Sequence, residues 1–122
     1  MDDNNYYALS KILFAELESV FRAKDGQPYE DNWRNEYQSH SGMLLIYEKE
    51  DLACFRFFVD GLKDPFLISH LSSGTGKLEI DGKTITLKSR NSLYRFRDVT
   101  DETDEKIKTG MYLNVFGADL VI

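Results

Sequence analysis

The sequence predicts an α+β fold: an antiparallel β-sheet of about six strands, with an N-terminal amphipathic helix packed on one face and one or two further short helices. Three observations carry that expectation. Apolar and polar residues alternate on both sides of an Asp-Gly pair between Lys77 and Leu87. Apolar side chains between Tyr6 and Arg22 recur at three- and four-residue spacing. Two dense apolar runs flank the charged string Glu48-Lys49-Glu50-Asp51.

The Asp-Gly stretch carries the clearest local signal. A two-residue loop at Asp81-Gly82, with the glycine taking the positive φ of a type I′ turn, sets Leu78 opposite Ile85 and Glu79 opposite Thr84. Leu78, Ile80, Ile85 and Leu87 then share one face, while Lys77, Glu79, Thr84 and Thr86 share the other.

Ahead of it, Asp2, Asp3, Asn4 and Asn5 offer N-caps for a helix starting near Tyr6, and Leu9, Leu13, Leu17, Val20 and Phe21 form its apolar stripe up to a stop at Asp25-Gly26. Pro28 at a first helical position and Gly42 past a polar end predict a second helix from about 28 to 40. Its apolar residues Tyr29, Trp33 and Tyr37 would form one ridge, either packed on the core or exposed as a recognition stripe.

Met43 to Tyr47 and Leu52 to Val59 read as a hairpin around Glu50-Asp51. That pairing puts Leu44 and Ile46 on a face with Ala53, Phe55 and Phe57, and gives Leu45, Tyr47, Leu52, Cys54, Arg56 and Phe58 the other. Both faces are largely apolar, so these strands either sit mid-sheet with something packed on each side or expose an interface.

Asp64-Pro65 predicts a short helix over Phe66, Leu67, Ile68 and Leu71, and Ser72 to Gly76 a link into the central hairpin. After a turn at Lys88 to Ser92, Leu93 to Val99 reads as a strand with Tyr94 and Phe96 facing one way and Arg95 and Arg97 the other. Thr100 to Lys108 reads as an exposed acidic loop. Met111 to Ile122 reads as a last strand pinned into the sheet.

The 122 residues fit a single globular domain spanning 1–122. The lone cysteine, Cys54, in an apolar setting, reads as a reduced, inert thiol. Neither a bilayer-length apolar run nor a signal-peptide pattern is found, so the expectation is cytoplasmic, with no membrane partner.

Twenty-one acidic against fifteen basic residues leave a net charge of −6, which disfavours direct nucleic-acid binding and favours a basic protein surface. Lys83, Lys88, Arg90, Arg95 and Arg97 bias the central strands positive, but without aromatic residues interleaved on their face.

Catalytic and cofactor chemistry finds no local support. Ser73-Gly74-Thr75-Gly76-Lys77 fails as a phosphate loop, because Leu71 stands where its first glycine belongs, Leu78 where its hydroxyl residue belongs, and a strand follows. His40 and His70 make no metal-ligand spacing with each other or with Cys54, and a Cys54–His70 nucleophilic pair lacks an electropositive setting. The expectation is therefore no enzyme, no cofactor and no metal.

What is left is a non-enzymatic protein-binding module. An acidic inhibitor or immunity-type protein, including a phage-encoded antagonist of a nucleic-acid-handling host defence enzyme, would occlude a basic surface of a larger partner. Tyr29, Trp33 and Tyr37 would anchor it, and Asp98, Asp101, Glu102, Asp104 and Glu105 would supply the charge. Two rivals are a self-assembling structural subunit, pairing as a homo-oligomer through residues 43–59 or the last strand, and a small-molecule-binding domain.

Overall fold

A computed structural model of the chain describes residues 7–59, 67–69 and 76–120. Strand β1, Ala8–Arg22, is followed by a 3-10 turn, Trp33–Tyr37, and then by β2, Ser41–Lys49, β3, Leu52–Val59, and β4, Leu67–Ser69. Next come β5, Lys77–Asp81, β6, Thr84–Lys88, and β7, Ser92–Asp98, then a second 3-10 turn, Thr100–Glu102, and helix α1, Glu105–Leu120. Among the described residues, seven strands join one antiparallel sheet in the order β4-β3-β2-β1-β7-β6-β5. The fold is mostly β, which corrects the expected α+β arrangement: the N-terminal helix on the sheet is absent, and the helix that does pack there is C-terminal.

β1 explains why its sequence looks helical. Leu13, Ala15, Leu17 and Val20 all reach the main core. The first three alternate as a strand requires, and a register shift between Leu17 and Ser19 then widens the step to three residues. A second shift lies between Leu9 and Lys11. A bulged strand thus mimics the three- and four-residue spacing of a helix, and sheet pairing on both edges overrides the propensity of its leucines.

β1 is also the hinge of the sheet. Its first half pairs with β2 (Ala8↔Glu48 to Glu16↔Ser41) and its second half with β7 (Ala15↔Asp98 to Arg22↔Ser92). The two wings curl until their inner faces meet, so β3 touches β7 although two strands lie between them. The Phe55 ring sits 4.9 Å from Tyr94 and 5.6 Å from Phe96, and Phe57 sits 5.1 Å from Phe96, all edge to face. Each such pair adds about 0.5–1.5 kcal/mol beyond area burial.

Beyond Glu16, β1 has no strand on its β2 side, and residues 23–40 fold back along that edge. Ser39 N donates to Leu17 O (2.7 Å), Leu17 N to His40 O (3.0 Å) and Arg22 N to Gln27 O (2.8 Å). Val20 N donates to Gln38 Oε1 (3.1 Å), and Pro28 bridges Phe21. These bonds satisfy amides that an open edge would leave to water or to another chain. The predicted helix over 28–40 therefore does not form. Backbone groups it would have consumed are spent on the edge, and Asn32 caps only the short 3-10 turn by accepting from Arg34 N.

The β2–β3 hairpin follows the predicted register, with Lys49↔Leu52 closing a Glu50-Asp51 loop. Leu44, Ile46, Ala53, Phe55 and Phe57 enter the main core. Met43, Leu45 and Phe58 enter a second cluster with Phe14 and Val99, closed by Met111 of α1. Both apolar faces are thus covered from within the chain. One of the two segments expected to pair between copies is used internally.

The second segment, the predicted last strand, is α1. Asp104 starts the helix, its Oδ1 accepting from Lys106 N (3.1 Å) and its carbonyl from Lys108 N (3.0 Å). Met111, Val115 and Phe116 then meet the second cluster at helical spacing. The acidic stretch after β7 is consequently a 3-10 turn and a helix start rather than a loop. Its Tyr, Val and Phe residues suit a strand locally, but a one-sided apolar face on the sheet stabilises the helix.

The β5–β6 hairpin keeps the predicted faces, but its pairing is shifted by two positions, so that Leu78 faces Leu87 rather than Ile85 and Ile80 faces Ile85. Its loop is Gly82-Lys83. Gly82 has φ +60 while Lys83 stays at negative φ, the pattern of a type II′ rather than a type I′ turn. Leu67 and Ile68 lie in β4, not in a short helix; Phe66 and Leu71, with most of the Ser72 to Gly76 link, lie outside the described residues.

Candidate interaction surface

The helix that would have aligned Tyr29, Trp33 and Tyr37 along one ridge does not form. Tyr29 is half-buried against the main core, and its hydroxyl donates to Asn91 O (2.9 Å) and lies within hydrogen-bond distance of Ser92 Oγ. The Arg34 guanidinium stacks over the Tyr29 ring at 5.1 Å, and Arg34 Nε donates to Tyr94 Oη (3.0 Å). Tyr37 also packs on the core, and burial raises its hydroxyl pKa. Trp33 opens the 3-10 turn; its side chain lies outside the described atoms. These contacts fasten the 23–40 segment to the start of β7.

The acidic residues lie at the other end of that strand. Six residue steps from Ser92 to Asp98 span about 20 Å at strand rise, so Tyr29 and the acidic group do not form one patch. Asp98 Oδ1 accepts from Thr100 N (2.9 Å) and sets the 3-10 turn. Asp104 caps α1. Glu105, 86% exposed on its side chain, stands 3.4 Å from Lys108 Nζ, and Asp101 is exposed.

Glu102 belongs to a network that spans three segments. Its carboxylate takes Arg97 Nη1 at 2.9 Å and stands 3.6 Å from Lys83 Nζ. Arg97 Nη2 also donates to Glu16 Oε1 at 3.1 Å, and Arg97 Nε lies 3.9 Å from Glu18. The Glu16 hydrogen bond, then the Glu102 charge, raise the Arg97 pKa. The positive bias expected of Arg97 and Lys83 is thereby offset by acidic neighbours.

Glu16 and Glu18 are the members that sequence reading missed. Once β1 is a strand, the register Glu16↔Arg97 makes Glu16 and Arg97 a cross-strand pair of opposite charge, with Glu18 two residues along within 3.9 Å of the same guanidinium, a signal that a helical reading conceals. Counting Glu16, Glu18, Asp98, Asp101, Glu102, Asp104 and Glu105 against Lys83, Arg97, Lys106 and Lys108, this end holds a surplus of three negative charges.

Beside the network, between the start of α1 and the sheet, lies a cleft of about 340 Å³. Phe14, Gly42, Val99 and Met111 form its apolar floor, and Ile107 stands on its wall, 41% exposed. Arg97, Glu102 and Asp104 rim it. The volume is at the small end of the range for ligand sites.

Among the described residues, no group of three His, Cys, Asp or Glu is placed to hold a metal. Cys54 is half-buried and unbridged, and burial pushes its thiol pKa up. His70, its suggested partner, lies outside the described residues, as do Ser73, Gly74 and Thr75 of the phosphate-loop look-alike. No described helix is long and apolar enough to cross a membrane. Comparison with family models, with curated proteins and with solved structures returns no match.

Proposed function

We propose that this chain is a non-enzymatic protein-binding module whose carboxylate-rich end occludes a basic surface of a larger partner, in the manner of a small inhibitor or immunity-type protein. The observation that carries this reading is the gathering of Glu16 and Glu18 from β1 with Asp98 to Glu105 at one end of the molecule, next to an apolar-floored cleft. A surplus of like charge in one place steers a basic partner over several ångströms and suppresses anionic ones. Proteins that handle nucleic acid present such basic surfaces.

The test uses the residues of this surface with the least structural work. Reversing Glu102 or Asp104 would break the Arg97 network or the α1 cap, whereas Asp101→Lys with Glu105→Lys changes the charge by four and leaves both in place. Affinity capture from the native host with the wild-type chain should retain a basic protein at low salt, and the double variant should lose it. Capture that is unchanged by the double variant, or that is insensitive to salt, would refute the reading.

A further inference from the structure

We infer that the cleft between α1 and the end of β7 receives a lysine or arginine side chain of the partner; this deepens the docking reading above and rests on it. The chemistry of the walls selects that guest. Phe14, Val99 and Met111 offer an apolar floor, and Ile107 extends it towards solvent. Lysine and arginine carry long methylene stems that cover such surface while the charged head stays at a wet rim.

The rim favours a cation. Arg97 lines the cleft with Glu16, Glu18 and Glu102 around it, and Lys108 Nζ, 6.0 Å from the centroid of the Phe14 ring, is paired with Glu105. The α1 N-terminus, which would otherwise suit an anion, is occupied by the helix's own cap, with Asp104 Oδ1 accepting from Lys106 N. The groups that would receive a carboxylate or phosphate are therefore in use, and the local surplus is negative. A bare metal ion is disfavoured by the apolar floor and by the absence, among the described residues, of a ligand cluster.

The experiment is a ¹H–¹⁵N correlation titration of the full chain with a capped pentapeptide, glycine-arginine-glycine-lysine-glycine, and with its analogue carrying norleucine at both cationic positions. The cationic peptide should shift amides of Ser41, Gly42 and residues 103–107, and the analogue should bind about tenfold more weakly. Ile107→Lys, a change on the exposed side of α1, puts a cation at the cleft wall and should abolish those shifts. Its amide spectrum away from the cleft reports that the fold persists.

Shifts scattered over the surface, equal binding of the norleucine peptide, or binding unchanged by Ile107→Lys would overturn the inference. Partner capture separates the two levels. If Asp101→Lys with Glu105→Lys loses the partner and Ile107→Lys keeps it, the cleft assignment fails while the docking reading stands. If capture ignores both, both fail.

Discussion

Gly42→Ala is the sharpest test of how β2 is held between two layers. A Cβ at Gly42 would stand 2.0 Å from Phe58 O and 2.8 Å from both Phe58 C and Val59 Cα. Those are backbone atoms of β3, opposite Gly42 in the ladder, so no rotamer change relieves the overlap. The strands must part where β2 also pairs with β1, through Ala15↔Gly42 and Glu16↔Ser41. Overpacking of this kind costs about 1–3 kcal/mol where side chains yield, and a backbone clash lies at or above the top of that range. The reduced freedom of the unfolded chain returns about 0.4–1 kcal/mol at most. A net loss of about 2–3 kcal/mol is expected, and with a urea slope of roughly 1–3 kcal/mol/M the midpoint should fall by about 0.7–3 M. Gly110→Ala on α1 is the matched control, because a Cβ there meets nothing within 4 Å. It should raise stability by about 0.8–1 kcal/mol through helix propensity. If Gly42→Ala melts at the wild-type urea concentration, the close β2–β3 approach is wrong, and with it the position of β2.

Three further outcomes follow from the same contacts. Met111→Ala removes the α1 side chain that closes the second cluster, itself only 3% exposed, and should cost about 2–5 kcal/mol in urea unfolding. The hydrogen bond from Ser10, and secondarily Lys11, lowers the Glu48 pKa below its ordinary 4.5. Its contribution is therefore full above about pH 4.5 and is lost as pH falls through the lowered folded value, so Glu48→Gln should flatten stability against pH in that acid window. The Cys54 thiol, raised by burial, should react with a thiol reagent at pH 8 more slowly than free cysteine, and should recover the free rate in denaturant.

The parts of the fold that could be read from sequence are those in which local chemistry and tertiary contact agree. The Glu50-Asp51 hairpin and the β7 alternation of Tyr94 and Phe96 against Arg95 and Arg97 follow from period-two patterning alone. β1 and α1 failed in opposite directions for one reason. A bulge after Leu17 gave a strand the spacing of a helix, and β-prone residues filled a helix whose apolar face is defined only by the sheet beneath it. Neither a bulge nor a docking partner leaves a signature in a single sequence. The Asp81-Gly82 hairpin shows the same limit on a smaller scale. Its faces were legible from parity, but the choice of Gly82-Lys83 as loop shifted the pairing by two positions without changing which residues share a face.

The acidic end separates two kinds of contribution that sequence merges. Asp98 and Asp104 hold backbone amides, and Glu16 and Glu102 hold Arg97, yet every one of them also adds to the field that a partner meets at a distance. Contact at close range falls instead to Asp101, to Glu105, which is held in an exposed pair with Lys108, and to the apolar walls of the cleft. Association rate and salt dependence should therefore track net charge, so reversing Asp101 and Glu105 lowers the on-rate and flattens its salt slope. Ile107→Lys changes the charge by only one but fills the cleft wall, and should act chiefly on the dissociation rate. Surface plasmon resonance on the captured partner distinguishes the two. Equal effects of both variants on the on-rate would mean that the cleft contributes charge and no contact, and would leave its apolar floor without a part in binding.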